Sequence, residues 1–110
     1  MGGEWLVSPY GLHIAYVSWS GNGKRRPVLV LSDTEKEVAV FQITSQYDNK
    51  SAIIKSQYVA IDDWAQAGLA KQSYIDMGRI IDLPKTAVQP TPIGKLSEND
   101  LRKLLKAMND

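Results

Sequence analysis

The sequence contains no cysteine and a single histidine among its 110 residues. The first absence removes disulfides, thiolate metal sites and a cysteine nucleophile together. The second closes any mechanism in which two imidazoles work as acid and base. His13, in an otherwise core-like stretch, reads as structural. Clustered acids are missing too. Asp62-Asp63 is the only adjacent acidic pair, and a helix cap explains that position better than a two-metal centre, which needs several carboxylates on a rigid site. No apolar run is long enough to span a bilayer, and residues 1–7 lack the basic stretch and apolar run of a secretory signal. With no cysteine either, the chain reads as cytoplasmic. Excess charge is also lacking: 13 Lys+Arg stand against 12 Asp+Glu, a net +1, so the whole-molecule field gathers no polyanion. Any anion site must be local, and the one concentrated basic block is Lys24-Arg25-Arg26.

What is present is an ordinary folding composition, 44% hydrophobic and 23% charged, with no repeat or low-complexity tract, which sets disorder aside and fits one domain over residues 1–110. Residues 12–19 (LHIAYVSW) are rich in β-branched and aromatic side chains and read as a first strand, largely buried on both sides. Residues 20–23 (SGNG) turn the chain, and the basic block sits in the short loop that follows. Residues 27–32 (PVLVLS) form a second strand with the proline at its start, where a missing N–H costs least. After a polar turn at residues 33–36, residues 37–44 (EVAVFQIT) make a third strand with Val38, Val40, Gln42 and Thr44 on one side.

Residues 45–51 are a polar loop and residues 52–61 (AIIKSQYVAI) a fourth strand, bent near Lys55-Ser56. Asp62-Asp63 then offer an N-cap, residues 64–67 a helical turn, and Gly68 a left-handed stop. Residues 73–77 and 79–83 are two short strands or one broken at Gly78, and residues 84–92 are too proline-rich for regular structure. The last element is the clearest. Ser97-Glu98-Asn99-Asp100 resembles a capping box, and Leu101, Leu104, Leu105 and Met108 fall at i, i+3, i+4 and i+7, the core stripe of an amphipathic helix. Short strands, tight turns and one terminal helix predict a mainly β fold with short helices, an SH3-like small barrel or a small α+β sheet.

Two separated motifs carry a family resemblance. An Arg-Pro pair, Arg26-Pro27, opens an apolar strand, and a Thr-x-Gln, Thr44-Ser45-Gln46, ends the next. With LHIAYVSWSGNGKRRPVLVLS ahead of FQITSQ, and with AGLAKQS and IGKLS downstream, the chain resembles the MazF/PemK toxins over most of its length. The resemblance implies an SH3-like barrel, a homodimer, a cognate antitoxin whose acidic tail mimics RNA, and no cofactor or metal. It also implies a metal-independent endoribonuclease (mRNA interferase) that cuts single-stranded RNA to 2′,3′-cyclic phosphate and 5′-hydroxyl ends. Only Arg26 and Thr44 carry over as catalytic residues by direct match.

Chemistry supports that assignment. Attack of a ribose 2′-hydroxyl on its own phosphate develops negative charge on the phosphoryl oxygens, and a guanidinium can bond two of them. Arg26 suits charge stabilisation first, and Thr44 orients the phosphate or the 2′-oxygen. Lys24 and Arg25 are candidate phosphate contacts, or a solvated turn. Gln46 and Tyr47 either bond and stack on an unpaired base or form a polar loop with a packing tyrosine. Trp5, Trp19 and Trp64 suit a core or dimer interface, and Trp19, beside the catalytic loop, is the substrate-binding candidate among them. Some related toxins use an aspartate after the fifth strand as general base, and Asp76 falls within one or two residues of that place. The loop between the first two strands, longer and often acidic in known toxins, is here short and acid-free. Two other functions fit the fold: a non-enzymatic CcdB-like toxin that binds DNA gyrase, and a plain SH3-like binding module.

Overall fold

A computed structural model describes residues 10–110; Trp5 lies outside the described residues, as does the side chain of Trp19. The chain forms strands β1 (Gly11–Trp19), β2 (Asn22–Asp33) and β3 (Glu37–Thr44), a single helical turn α1 (Ala52–Lys55), then β4 (Tyr58–Ile61), β5 (Ser73–Pro84), the two-residue β6 (Gly94–Lys95) and the terminal helix α2 (Glu98–Asn109). All pairings are antiparallel, in one curled six-stranded sheet of order β4-β5-β3-β2-β1-β6. The small mainly β barrel with a terminal helix expected from the sequence is therefore present.

Strand alternation makes the sheet bury both faces. Leu12, Leu29, Phe41, Ile43, Ile61 and Ile75 pack on one side with Leu104 of α2. Ala15, Val17, Val28, Val30, Val38 and Val40 pack on the other, closed by Leu83 and by Val88 of the proline-rich segment. Leu104 is fully buried, a side chain whose removal from water is worth about 2–3 kcal/mol. Leu101 is only partly buried, and Leu105 and Met108 are 38% and 42% exposed. The predicted core stripe is thus half a stripe, because α2 lies on the sheet by the side holding Asp100 and Leu104.

Asp100 explains that orientation. Ser97 Oγ accepts the Asp100 N–H at 3.1 Å, as a cap should, but the Asp100 carboxylate does not turn back to the helix start. It accepts the backbone N–H groups of Asp62 and Asp63 at 3.0 and 2.8 Å, fully buried, and so ties α2 to the turn after β4. Asp62 and Asp63 are therefore clamped partners of α2 and not the side-chain cap expected of them. Ser97 Oγ donates to Asp63 Oδ2 at 2.6 Å, and Lys103 Nζ donates to Asp62 Oδ2 at 2.9 Å, which holds the Asp62 carboxyl below its usual range.

The fourth strand is shorter than expected. Ser51 Oγ accepts the Ile54 N–H and winds residues 52–55 into α1, leaving Ile53 76% exposed, and β4 begins only at Tyr58. β5 runs unbroken through Gly78, but its register against β3 jumps from Val40↔Ile81 to Gln42↔Asp76, so residues 77–80 bulge. His13 is fully buried and donates from Nδ1 to the Gln89 carbonyl at 2.8 Å, a tie to the proline-rich segment, as a structural histidine does.

Candidate active site

The site begins at a two-residue hairpin. Ser20 and Gly21 turn with φ of 38° and 82°, the pair of positive angles whose twist matches that of the flanking strands. Trp19 pairs with Asn22, and the ladder continues through Lys24↔Val17, Arg25↔Tyr16 and Arg26↔Ala15. The basic triplet therefore lies on a strand, not in a loop, and Pro27 sits inside β2 instead of opening it. β3 joins β2 only from Val28↔Gln42 onward. Residues 22–27 thus have β1 on one side and no paired strand on the other, a one-sided position where a proline is tolerated.

Into that open side three elements bring a cleft of about 330 Å³. β2 supplies Lys24, Arg25, Arg26 and Pro27; the end of β3 and the loop after it supply Ile43, Thr44, Ser45 and Gln46; the loop before β5 supplies Leu69, Ala70 and Lys71, and β5 itself Ser73. Four side chains of this lining are cationic and none is acidic. Arg26 is half-buried, and its Nη1 donates to Gln42 Oε1 at 3.2 Å. Thr44 ends β3, and its Oγ1 accepts the Gln46 N–H at 3.0 Å, which leaves the hydroxyl hydrogen directed elsewhere. The opposite wall is fixed by Gln72, whose Nε2 donates to the carbonyls of Ile61 and Ser73 at 3.0 and 3.1 Å, and by Ser73 Oγ, which donates to the Lys71 carbonyl at 2.9 Å.

Of the residues singled out in the sequence, Lys24, Arg25, Arg26, Thr44 and Gln46 share this cleft, and Tyr47 and Asp76 are not in its lining. The Tyr47 ring stacks on Tyr74 at 4.4 Å and 13° and carries Lys55 Nζ 4.8 Å from its centroid, so it pins the loop between β3 and α1. Asp76 pairs with Gln42 on β3 and Tyr58 on β4, and its Oδ1 accepts the Gly78 N–H at 2.9 Å. Burial first, and the Asp76 charge second, push the Tyr58 hydroxyl pKa up. Lys71 and Gln42 received no role from the sequence. A lone lysine in a polar loop gives no signal; Gln42 offered one, a polar side chain continuing the Val38–Val40 face.

The fold is a curled antiparallel half-barrel whose cleft, where β2 outruns β3, is lined by four cations and no acid. Residues 12–110 match the family model described as "PemK-like, MazF-like toxin of type II toxin-antitoxin system". The chain belongs to that family. Among solved structures it is similar to a Mycobacterium tuberculosis toxin, MazF-mt6, at 24% identity and a TM-score of 0.69, over 90% of this chain and 92% of that one. It is similar also to a structure described as an Mtb toxin, at 22% identity and a TM-score of 0.63, over 88% and 96%. At these identities the likeness speaks for the fold. A comparison with curated proteins returned no match. Among the described residues no helix is long and apolar enough to cross a membrane.

Proposed function

We propose that the protein is the toxin of a toxin–antitoxin pair and acts as an endoribonuclease on single-stranded RNA. The observation that carries this reading is that Arg26 and Thr44 line one cleft with three further cations and no carboxylate. In the proposed reaction the 2′-oxygen forms a bond to its own phosphorus as the bond to the 5′-oxygen breaks. A base removes the 2′-hydroxyl proton, and the leaving 5′-oxygen takes one up, giving 2′,3′-cyclic phosphate and 5′-hydroxyl ends. Arg26 stabilises the charge that builds on the phosphoryl oxygens, where a guanidinium fork gains strength in the transition state. Thr44 donates its hydroxyl to the phosphate or holds the 2′-oxygen in line.

Lys24, Arg25 and Lys71 hold flanking phosphates, and Gln46 bonds an unpaired base. Tyr47, with its ring already stacked, supports that loop. Asp76 stands beside Gln42, so the role of base needs a water between its carboxylate and the 2′-oxygen. An acid-free lining gives a divalent cation no carboxylate ligand, which favours a metal-independent reaction. The same lining is complementary to the acidic tail of an antitoxin, and we place the toxin in the cytoplasm as a homodimer restrained in that way.

The test is direct. Incubation with a long synthetic RNA in EDTA should yield new ends carrying cyclic phosphate and free 5′-hydroxyl, with Arg26→Ala and Thr44→Ala inactive but folded. Intact RNA, or undiminished cleavage by both variants, refutes the site. Growth inhibition with intact RNA would favour the gyrase-binding alternative, and neither cleavage nor toxicity the plain binding module.

A further inference from the structure

Arg26 also borders a second cleft. This cleft, of about 430 Å³, lies where the second core face opens at its end: Val17, Ile81 and Leu83 form an apolar floor, and Gln42, Arg26 and Arg79 stand around it. The bulge in β5 places Arg79 there. Between Gln42↔Asp76 and Val40↔Ile81 the strand has four residues, 77–80, against one on β3, and such bulges re-aim a side chain. Arg79, inside the bulge, is in the cleft's lining with Ile81 and Leu83. Asp82 also borders the cleft, but alternation turns its side chain away from the face of Ile81 and Leu83. Among the described residues Arg79 is exposed and makes no ion pair.

An apolar floor between two guanidiniums suits a ligand that is part planar and apolar, part anionic. A nucleotide has both parts: a base to lay on carbon, and a phosphate for a fork. We infer that the second cleft is a nucleotide subsite. The nucleotide next to the phosphate at Arg26 lays its base on the Val17–Ile81 floor and sets its phosphate against Arg79. The inference rests on the proposal that RNA occupies the first cleft. Arg26, reaching both clefts and held by Gln42, then marks the point where the strand crosses from one to the other.

Binding of 2′-O-methyl oligoribonucleotides, which cannot be cleaved, tests this by fluorescence anisotropy over lengths from about two to about eight nucleotides. Arg79→Ala should weaken the longer ligands roughly fivefold and lower the salt slope by about 0.7, the share of one phosphate on a single strand, and should spare the shortest. Arg79→Lys should restore the slope, and an abasic residue beside the crossing point should weaken wild-type binding. The subsite is overturned if Arg79→Ala binds every length as wild type does, or weakens only the binding of a poly-glutamate peptide. The two readings fail separately. Wild-type cleavage with Arg79-independent binding removes the subsite and leaves the nuclease. Arg79-dependent binding without any cleavage removes the nuclease and leaves the subsite, and no binding by wild type at any length removes the subsite whatever the cleavage assay shows.

Discussion

Replacing Arg26 by alanine and by lysine separates charge from geometry in the proposed reaction. The cleft holds three other cations, Lys24, Arg25 and Lys71, so loss of one leaves most of the attraction for the RNA backbone in place. Affinity for RNA should fall only about threefold to tenfold, with a salt slope lowered by about 0.7. The chemical step should suffer more. Removing a donor aimed at transition-state charge costs about 3–4 kcal/mol, or roughly 10²–10³ in rate. Lysine keeps the charge but loses the planar fork and its bond from Nη1 to Gln42 Oε1 at 3.2 Å. Arg26→Lys should therefore bind RNA almost as wild type and still cleave about tenfold to a hundredfold more slowly. The assay is single-turnover cleavage of a fluorescent RNA over a range of RNA-binding occupancies, giving rate and affinity independently. An alanine variant that loses affinity alone, or a lysine variant as fast as wild type, refutes the role assigned to the guanidinium.

Three further outcomes concern stability. Asp100→Ala strands two backbone N–H groups and should cost about 3–4 kcal/mol in urea unfolding, with Asp100→Asn costing less, since one acceptor oxygen survives; a loss under about 1 kcal/mol for alanine would disprove the clamp. Gly68 has φ of 88°, and a Cβ there would meet the Ile93 carbonyl, so Gly68→Ala should lower the melting temperature by about 4–8 °C or more. The Asp62 carboxyl is held below its usual value, chiefly by the hydrogen bond from Lys103. Its contribution is therefore present above the unfolded carboxylate pKa and disappears as pH falls through the folded one. At 56% exposure it is screened to below about 1 kcal/mol, and Asp62→Asn should show correspondingly less acid-side loss in the urea midpoint.

Much of the sheet was legible because alternation is local. Val38 and Val40 face one core, and Phe41 and Ile43 the other, as period two demands. The misreadings share a different cause. Ile53 and Ile54 look like strand residues by propensity, yet the Ser51 cap and the N–H groups of Lys55 and Ser56 close a helical turn; capping decided against β-branching. Ser-Gly-Asn-Gly is turn-forming throughout, and composition does not say which two residues turn. Register does, and it moved Lys24 and Arg25 onto a strand. Asp100 fits a capping box locally, but its carboxylate is claimed by N–H groups 37 and 38 residues away. Lys71 joins the cleft only because Gly68 and Gln72 fold its loop back, which no short motif announces.

The placement of the site follows from where the sheet stops supporting itself. Along β3 the second face reads Val38, Val40, Gln42, Thr44, and along β2 it reads Val30, Val28, Arg26. On β3 the change from apolar to hydrogen-bonding side chains comes at Gln42, opposite Val28, and on β2 two residues further along, at Arg26, where β2 has outrun its partner. A ladder that ends leaves room and polar groups together, and those are the two requirements for an anion site. The clamp between Asp100 and the turn after β4 packs with the other face, and Asp62, Asp63 and Asp100 do not line the first cleft. Stability and chemistry are thus carried by different residues, so substitutions at Arg26 or Thr44 should remove activity from a chain that still unfolds at the wild-type urea concentration.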